Sequence, residues 1–158
     1  MTDVALIVPY PLSPASTLVV QWRTFLAEGT EIAVIAAGPF ANRALEAAAQ
    51  LKEQTGWSPA IYNIRYIKPV DLELLKEVYE NYDRVVTVED GTVLGGLYGL
   101  VSEFMSAQLE PRPVKAVGIP DRYIQQGTQK ELRQECGLTK EGILEVILQE
   151  KQKNQKKD

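Results

Sequence analysis

The sequence predicts an α/β fold with an open, doubly wound, mostly parallel sheet and helices on both faces. Two observations support this class. Short, continuous apolar runs, typical of strands that are buried on both sides, alternate with longer segments whose apolar residues recur at helical spacing. Strands that alternate in this way with helices of about 10 to 15 residues indicate right-handed crossovers between parallel strands.

Four strands are predicted from the apolar runs, at residues 31–37, 60–66, 84–88 and 113–119. Apolar residues on one face predict the three helices that alternate with them: Ala44, Ala47, Ala48 and Leu51; Leu75, Val78, Tyr79 and Tyr82; Leu97, Leu100, Val101 and Phe104. Asp71 is the predicted N-cap of the second of these helices.

Two short helices are predicted to close the chain. Thr128 and Glu131 have the spacing of a capping box at the start of the first, which should stop at Gly137. Thr139 is the predicted cap of the second helix.

One domain is predicted, over residues 29–150, because 158 residues with 45% hydrophobic content can bury a single core. Residues 4–11 could form a strand, but residues 16–26 have no clean period, so residues 1–28 as a whole are expected to be a connecting segment. Residues 151–158 carry four lysines and no apolar residue, so they are expected to form a frayed, solvated helix end.

Composition excludes several functions. A net charge of -4, spread along the chain, leaves no basic face for nucleic acid. Cys136 is the only cysteine and histidine is absent, which disfavours a disulfide, a zinc site and the usual general base. The start lacks a signal peptide, and no run approaches the roughly 20 apolar residues of a membrane helix. A cytoplasmic location is therefore expected.

Four charged residues are candidates for a polar network at the carboxyl ends of two strands. Arg65, Lys68 and Asp71 follow the second predicted strand, and Glu89 ends the third. Ligands usually bind at this edge of an open α/β sheet. The alternative is an internal network in which Arg65 pairs with Asp71 or Glu89.

A glycine loop, with Gly91, Gly95 and Gly96, lies between the third strand and the next helix. Backbone N–H groups at such a helix start can bind a phosphate, but the loop has neither a P-loop lysine nor the GxGxxG spacing. We therefore favour a structural role, in which the paired glycines allow either close packing of the helix on the sheet or docking against another protein surface. Asp121 and Arg122 are further candidates for the docking loop.

Three sequence strings carry a resemblance to a known family: NIRYIKPVD at residues 63–71, VVTVEDGTVLGG at 85–96 and GIPDRYIQQGTQKELRQECGLTKEGI at 118–143. Together they resemble the C-terminal domain of 1-deoxy-D-xylulose-5-phosphate synthases. Transketolases and 2-oxo acid dehydrogenase beta subunits share the first two strings in looser form, whereas the third is more particular to the synthases.

The resemblance implies a five-stranded mixed sheet and a place as the third domain of a homodimeric enzyme. In that family, the first two domains hold thiamine diphosphate and Mg²⁺ and condense pyruvate with glyceraldehyde 3-phosphate. No cofactor site and no catalytic residue are expected in this chain, whose role would be support and dimer packing. Pro9 and Leu12 replace two family arginines, the second of which is expected to help hold the substrate phosphate.

Two other functions remain open at this stage. The chain could be a stand-alone binding or regulatory module that kept the fold after losing the catalytic domains. The other hypothesis, a small nucleotide- or flavin-binding protein, is supported only by the doubly wound fold pattern and the glycines.

Overall fold

A computed structural model describes residues 23–155. In that part of the chain the elements are β1 (Arg23–Ala27), β2 (Ile32–Ala37), α1 (Phe40–Thr55), β3 (Ala60–Ile64), α2 (Leu72–Asn81), β4 (Arg84–Thr92), α3 (Leu97–Ser106), β5 (Val114–Ile119), α4 (Gln129–Glu135) and α5 (Lys140–Gln155). The strands form one sheet in the order β1-β3-β2-β4-β5. The predicted α/β class and the mostly parallel five-stranded sheet are confirmed.

The direction of the strands defines two edges of the sheet. β2, β3, β4 and β5 are parallel, so they all end at one edge, called the carboxyl edge below; the opposite edge is the amino edge. β1 runs antiparallel to β3 and pairs Arg23 with Ile64, so β1 begins at the carboxyl edge. The connection through α1 places β3 on one side of β2, and the connection through α2 places β4 on the other side. The order of the strands therefore reverses between β2 and β4.

Two apolar layers hold helices against the sheet. Successive residues of β2 point to opposite faces, which is the period of a strand. Ile32, Val34 and Ala36 pack with α1 and α5, whereas Ala33 and Ile35 pack with α2 and α3. A continuous apolar run is therefore what this central strand requires.

The helix ends follow the predicted caps. The Asp71 carboxylate accepts the N–H of Leu74 at 2.9 Å, and Thr128 and Glu131 form the expected capping box. Gly137 ends α4 with a φ of 69°, a left-handed conformation that glycine adopts without strain.

Two predicted boundaries differ from the structure. Residues 23–27, expected to be part of a connecting segment, form β1. Residues 151–155, expected to fray, continue α5, where Lys151 Nζ lies 3.8 Å from the centroid of the Trp57 ring. Residues 1–22, which include Pro9 and Leu12, and residues 156–158 lie outside the described residues.

The helices of residues 23–155 are all too short or too polar to span a bilayer. Within the same residues, the acidic and cysteine side chains form no group of three or more that could hold a metal ion.

Candidate functional site

Glu89 belongs to β4, and its carboxylate lies at the start of α3, at the carboxyl edge. Its side chain is 4% exposed. Oε2 accepts the backbone N–H of Leu97 at 2.8 Å, and Oε1 accepts that of Tyr98 at 2.9 Å. The N-cap residue of α3 is Gly96, which has no side chain to cap the helix. The carboxylate therefore takes the place of an N-cap and lies where the helix dipole favours negative charge.

Small residues surround this carboxylate. A Cβ on Gly96 would overlap Glu89 Oε2 and would come within 2.6 Å of the Thr92 carbonyl oxygen. A Cβ on Gly118 would lie 2.9 Å from Val93 Cγ1 and 3.2 Å from Glu89 Cγ. The glycines thus let the loop close around a buried carboxylate.

This arrangement bears on the phosphate interpretation of the glycine loop. A phosphate bound at the start of α3 would need the N–H groups of Leu97 and Tyr98, which already bind Glu89. Asp90 and Gly91 belong to β4. The N–H groups of Leu97 and Tyr98 are therefore not available to a phosphate at the start of α3.

Asp71 belongs to a second polar group, between α2 and the outer strands. Arg23 donates to both Asp71 oxygens, at 3.0 and 2.9 Å, and to Glu77 Oε2 at 3.0 Å. The hydroxyl of Tyr62 lies 2.9 Å from Glu77 Oε1 and 3.2 Å from the hydroxyl of Tyr82. This network ties β1 and β3 to α2.

Tyr62 remains protonated in this network. Burial is the main cause that raises the pKa of its hydroxyl far above the ordinary value, and the hydrogen bonds with Tyr82 and Glu77 raise it further. A hydroxyl of this kind donates a structural hydrogen bond to Glu77 and is not suited to proton transfer near neutral pH.

The four predicted network residues are not brought together. Arg65 donates to Thr24 Oγ1 at 3.4 Å, and the cation that pairs with Asp71 among residues 23–155 is Arg23. The reason is strand alternation: Thr24 and Arg23 point to opposite faces of the sheet, and only Arg23 faces α2. Lys68 is exposed, and Glu89 binds α3. The expected ion pair of Arg65 with Asp71 or Glu89 is therefore wrong for the described residues.

Asp121 and Arg122 open a long excursion that follows β5 at the carboxyl edge. Arg122 NH1 lies 2.8 Å from Glu135 Oε1, in an exposed ion pair. Asp121 is also exposed, and α4 has no buried residue. The excursion is thus ordered by polar contacts while most of its side chains face outward.

Sequence reasoning missed Arg23, Tyr62 and Glu77. Arg23 lies in a segment with no apolar run, and the other two join the network through tertiary contacts. Glu89 had a usable signal, since a carboxylate that precedes a helix start without a capping side chain can supply the cap.

The fold and this edge place the chain among doubly wound α/β domains. Comparison with known families is more specific: the family described as "Transketolase, C-terminal domain" matches residues 23–143. The chain belongs to the transketolase C-terminal domain family.

Relatives carry the names of synthases and transketolases. The chain is 42% identical to the 1-deoxy-D-xylulose-5-phosphate synthase of Bacteroides thetaiotaomicron over 125 residues, which are 79% of this chain and 19% of that protein. It is 40% identical to the Phocaeicola vulgatus synthase over 123 residues, 78% of this chain and 20% of that protein. A solved structure titled "Split gene transketolase, inactive beta4 tetramer" superimposes with a TM-score of 0.75 and 32% identity, covering 90% of this chain and 46% of that one.

The chain therefore corresponds to one domain of much longer relatives. It spans about a fifth of the synthases that it matches.

Proposed function

We propose that this chain is the supporting C-terminal domain of a 1-deoxy-D-xylulose-5-phosphate synthase-like enzyme. The observation that carries the proposal is the identity of about 40% with synthases over most of this chain and only a fifth of theirs. In this role the domain packs against the other domains of a homodimer and supplies neither the cofactor site nor a catalytic residue.

The geometry of the carboxyl edge is consistent with a supporting role. The one helix start that resembles a phosphate site in sequence is filled by Glu89. Thiamine diphosphate and Mg²⁺ would therefore be held by the other domains, in an enzyme that condenses pyruvate with glyceraldehyde 3-phosphate and releases CO₂. We place this enzyme in the cytoplasm.

A chimera tests the proposal. In the Bacteroides thetaiotaomicron synthase, the region matched by this chain is replaced by residues 23–158. We expect a dimer that binds thiamine diphosphate and condenses the two substrates at a rate within about tenfold of the parent enzyme. A folded, cofactor-bound chimera without activity would contradict a supporting role.

Calorimetry on the isolated full chain provides the second measurement. With Mg²⁺ present, we expect no binding of thiamine diphosphate with a dissociation constant below about 0.1 mM, equivalent to roughly -5.5 kcal/mol. Saturable heat in that range would mean that the chain has its own cofactor site, as a stand-alone binding module would.

A further inference from the structure

We propose that the carboxyl edge is the surface on which the domain packs against the domain that precedes it in synthase-like enzymes. The contact residues are Tyr66, Leu72, Leu94 and Tyr123, called the edge patch below. This inference rests on the proposed function, and it adds which surface is used and what covers it.

The distribution of exposed apolar side chains identifies the edge. Six large apolar side chains of residues 23–155 are exposed, and four of them form the edge patch, at 44% for Tyr66, 53% for Leu72, 59% for Leu94 and 85% for Tyr123. Each follows the carboxyl end of a parallel strand or begins the next helix. Four of the six exposed large apolar side chains of these residues thus lie on one side of the domain, which favours that side as a contact surface.

The loops that carry this patch are held in place. The Thr92 hydroxyl donates to the Leu94 carbonyl at 3.0 Å, and the N–H of Val93 donates to the Ile119 carbonyl at 3.0 Å. The N–H of Arg122 donates to the Pro120 carbonyl at 2.8 Å, next to Tyr123. Side chains on preorganised loops lose less conformational entropy when a partner binds.

The path of the chain favours the preceding domain as the partner that covers the carboxyl edge. Because β1 is antiparallel, Arg23 lies at the carboxyl edge, so the chain enters β1 on the side where the edge patch lies. The amino edge differs in chemistry. It has a polar cleft of about 400 Å³ whose lining includes Glu31, Asp83 and Arg112. An apolar partner surface therefore fits the carboxyl edge, where an exposed Arg122–Glu135 pair supplies part of a polar rim.

Amide hydrogen exchange tests the position of the contact. We expect peptides that contain Leu94 and Tyr123 to exchange at least tenfold more slowly in the chimera than in the isolated full chain. A peptide that contains Leu109, an exposed leucine between α3 and β5 at the amino edge, should not change. Equal rates at the edge patch in the two proteins would overturn the proposal.

Variants test the energetic role. In the chimera, Leu94→Ser combined with Tyr123→Ser should lower the condensation rate at least tenfold, whereas the matched control Leu109→Ser should have no effect. Both variants of the isolated chain should unfold at the parent urea midpoint, because the altered side chains are exposed. If the edge substitutions do not change the condensation rate of the chimera, the proposed contact surface would be wrong, but the proposed function would not be contradicted.

The remaining outcomes separate the two proposals and the other occupants. An inactive chimera with slowed exchange would contradict the proposed function while supporting the surface. Slow exchange in the isolated full chain that increases with its concentration would assign the edge to a second copy. Slow exchange that does not depend on concentration and equals that of the chimera would assign it to residues of this chain outside 23–155. Either result would overturn the inference.

Discussion

Gly96 lies so close to Glu89 that a Cβ at position 96 would overlap the carboxylate oxygen Oε2. The same oxygen accepts the N–H of Leu97, the first residue of α3. The glycine is thus needed because a buried side chain supplies the helix cap from a neighbouring strand. Backbone freedom is not the reason, since Gly96 has an ordinary φ of -93°.

Gly96→Ala should destabilise the protein by about 1 to 3 kcal/mol, because the added methyl group forces the Glu89 carboxylate or the loop to move. Gly99→Ala, in the same helix, is the matched control. Apart from its chain neighbours and the nearby backbone of α3, no atom lies within 4 Å of a Cβ at this position, and alanine should stabilise the helix by about 0.5 to 1 kcal/mol. Urea unfolding of both variants measures the difference, and equal shifts in one direction would contradict the steric argument.

Arg23→Ala should destabilise the protein by about 2 kcal/mol. The substitution leaves Asp71 and Glu77 without the guanidinium that ties β1 to α2. Arg65→Ala is the control and should change stability by less than about 0.5 kcal/mol, because its contact with Thr24 is long and exposed. The unfolding free energies in urea compare the two, and a larger effect at Arg65 would restore the network expected from sequence.

These two arginines show where the sequence could and could not predict the fold. The central strands were found because burial on both faces requires continuous apolar runs, as in β2. β1 was missed because it is an edge strand with an exposed Phe25 at its centre, so its sequence has no such run. Without β1, the network around Asp71 lacked its cation, and Arg65 was the nearest arginine in sequence.

Glu150→Ala should destabilise the protein by about 3 kcal/mol. Glu150 Oε2 lies 2.7 Å from Arg84 NH1 in a buried pair, and Lys153 Nζ lies 2.6 Å from Oε1. Removal of the carboxylate leaves a buried guanidinium unpaired. Gln149→Ala, an exposed neighbour in α5, should change stability by less than about 0.5 kcal/mol.

A double substitution separates charge burial from packing. Arg84→Met with Glu150→Leu should recover much of the lost stability, because no unpaired charge remains. A double variant as unstable as Glu150→Ala would show that shape, and not charge, sets the contribution of this pair.

Thr128→Ala should raise the pKa of Glu131. The hydrogen bonds from the Thr128 side chain, and then from its backbone N–H, lower the pKa of the Glu131 carboxyl in the folded protein. A lowered folded pKa means that the capping box stabilises α4 at neutral pH and that this contribution is lost as the pH falls through the folded pKa. Titration of the Glu131 side-chain carbon by NMR measures both proteins, and an unchanged pKa would exclude this cause.

Part of the candidate site was also predictable. The sequence placed Glu89 and the glycines at the carboxyl edge, because a strand, a loop and a helix follow one another there. It did not predict that the carboxylate turns back onto Leu97 and Tyr98, since that depends on how closely Gly96 and Gly118 let the loop approach. The Arg84–Glu150 pair was missed because it is a tertiary contact, which depends on how α5 packs on the sheet.

The antiparallel direction of β1 decides how this domain can be joined to others. β1 begins with Arg23 at the carboxyl edge, whereas α5 ends at Gln155, beside Asp83 at the amino edge. In general, a domain joined through a short linker is held at an effective concentration of about millimolar near its contact surface, so even a weak contact would mostly form. Separate chains lose this advantage and must associate at their own concentrations. The affinity of one edge therefore decides whether such a domain can work as a separate subunit, with no change in its fold.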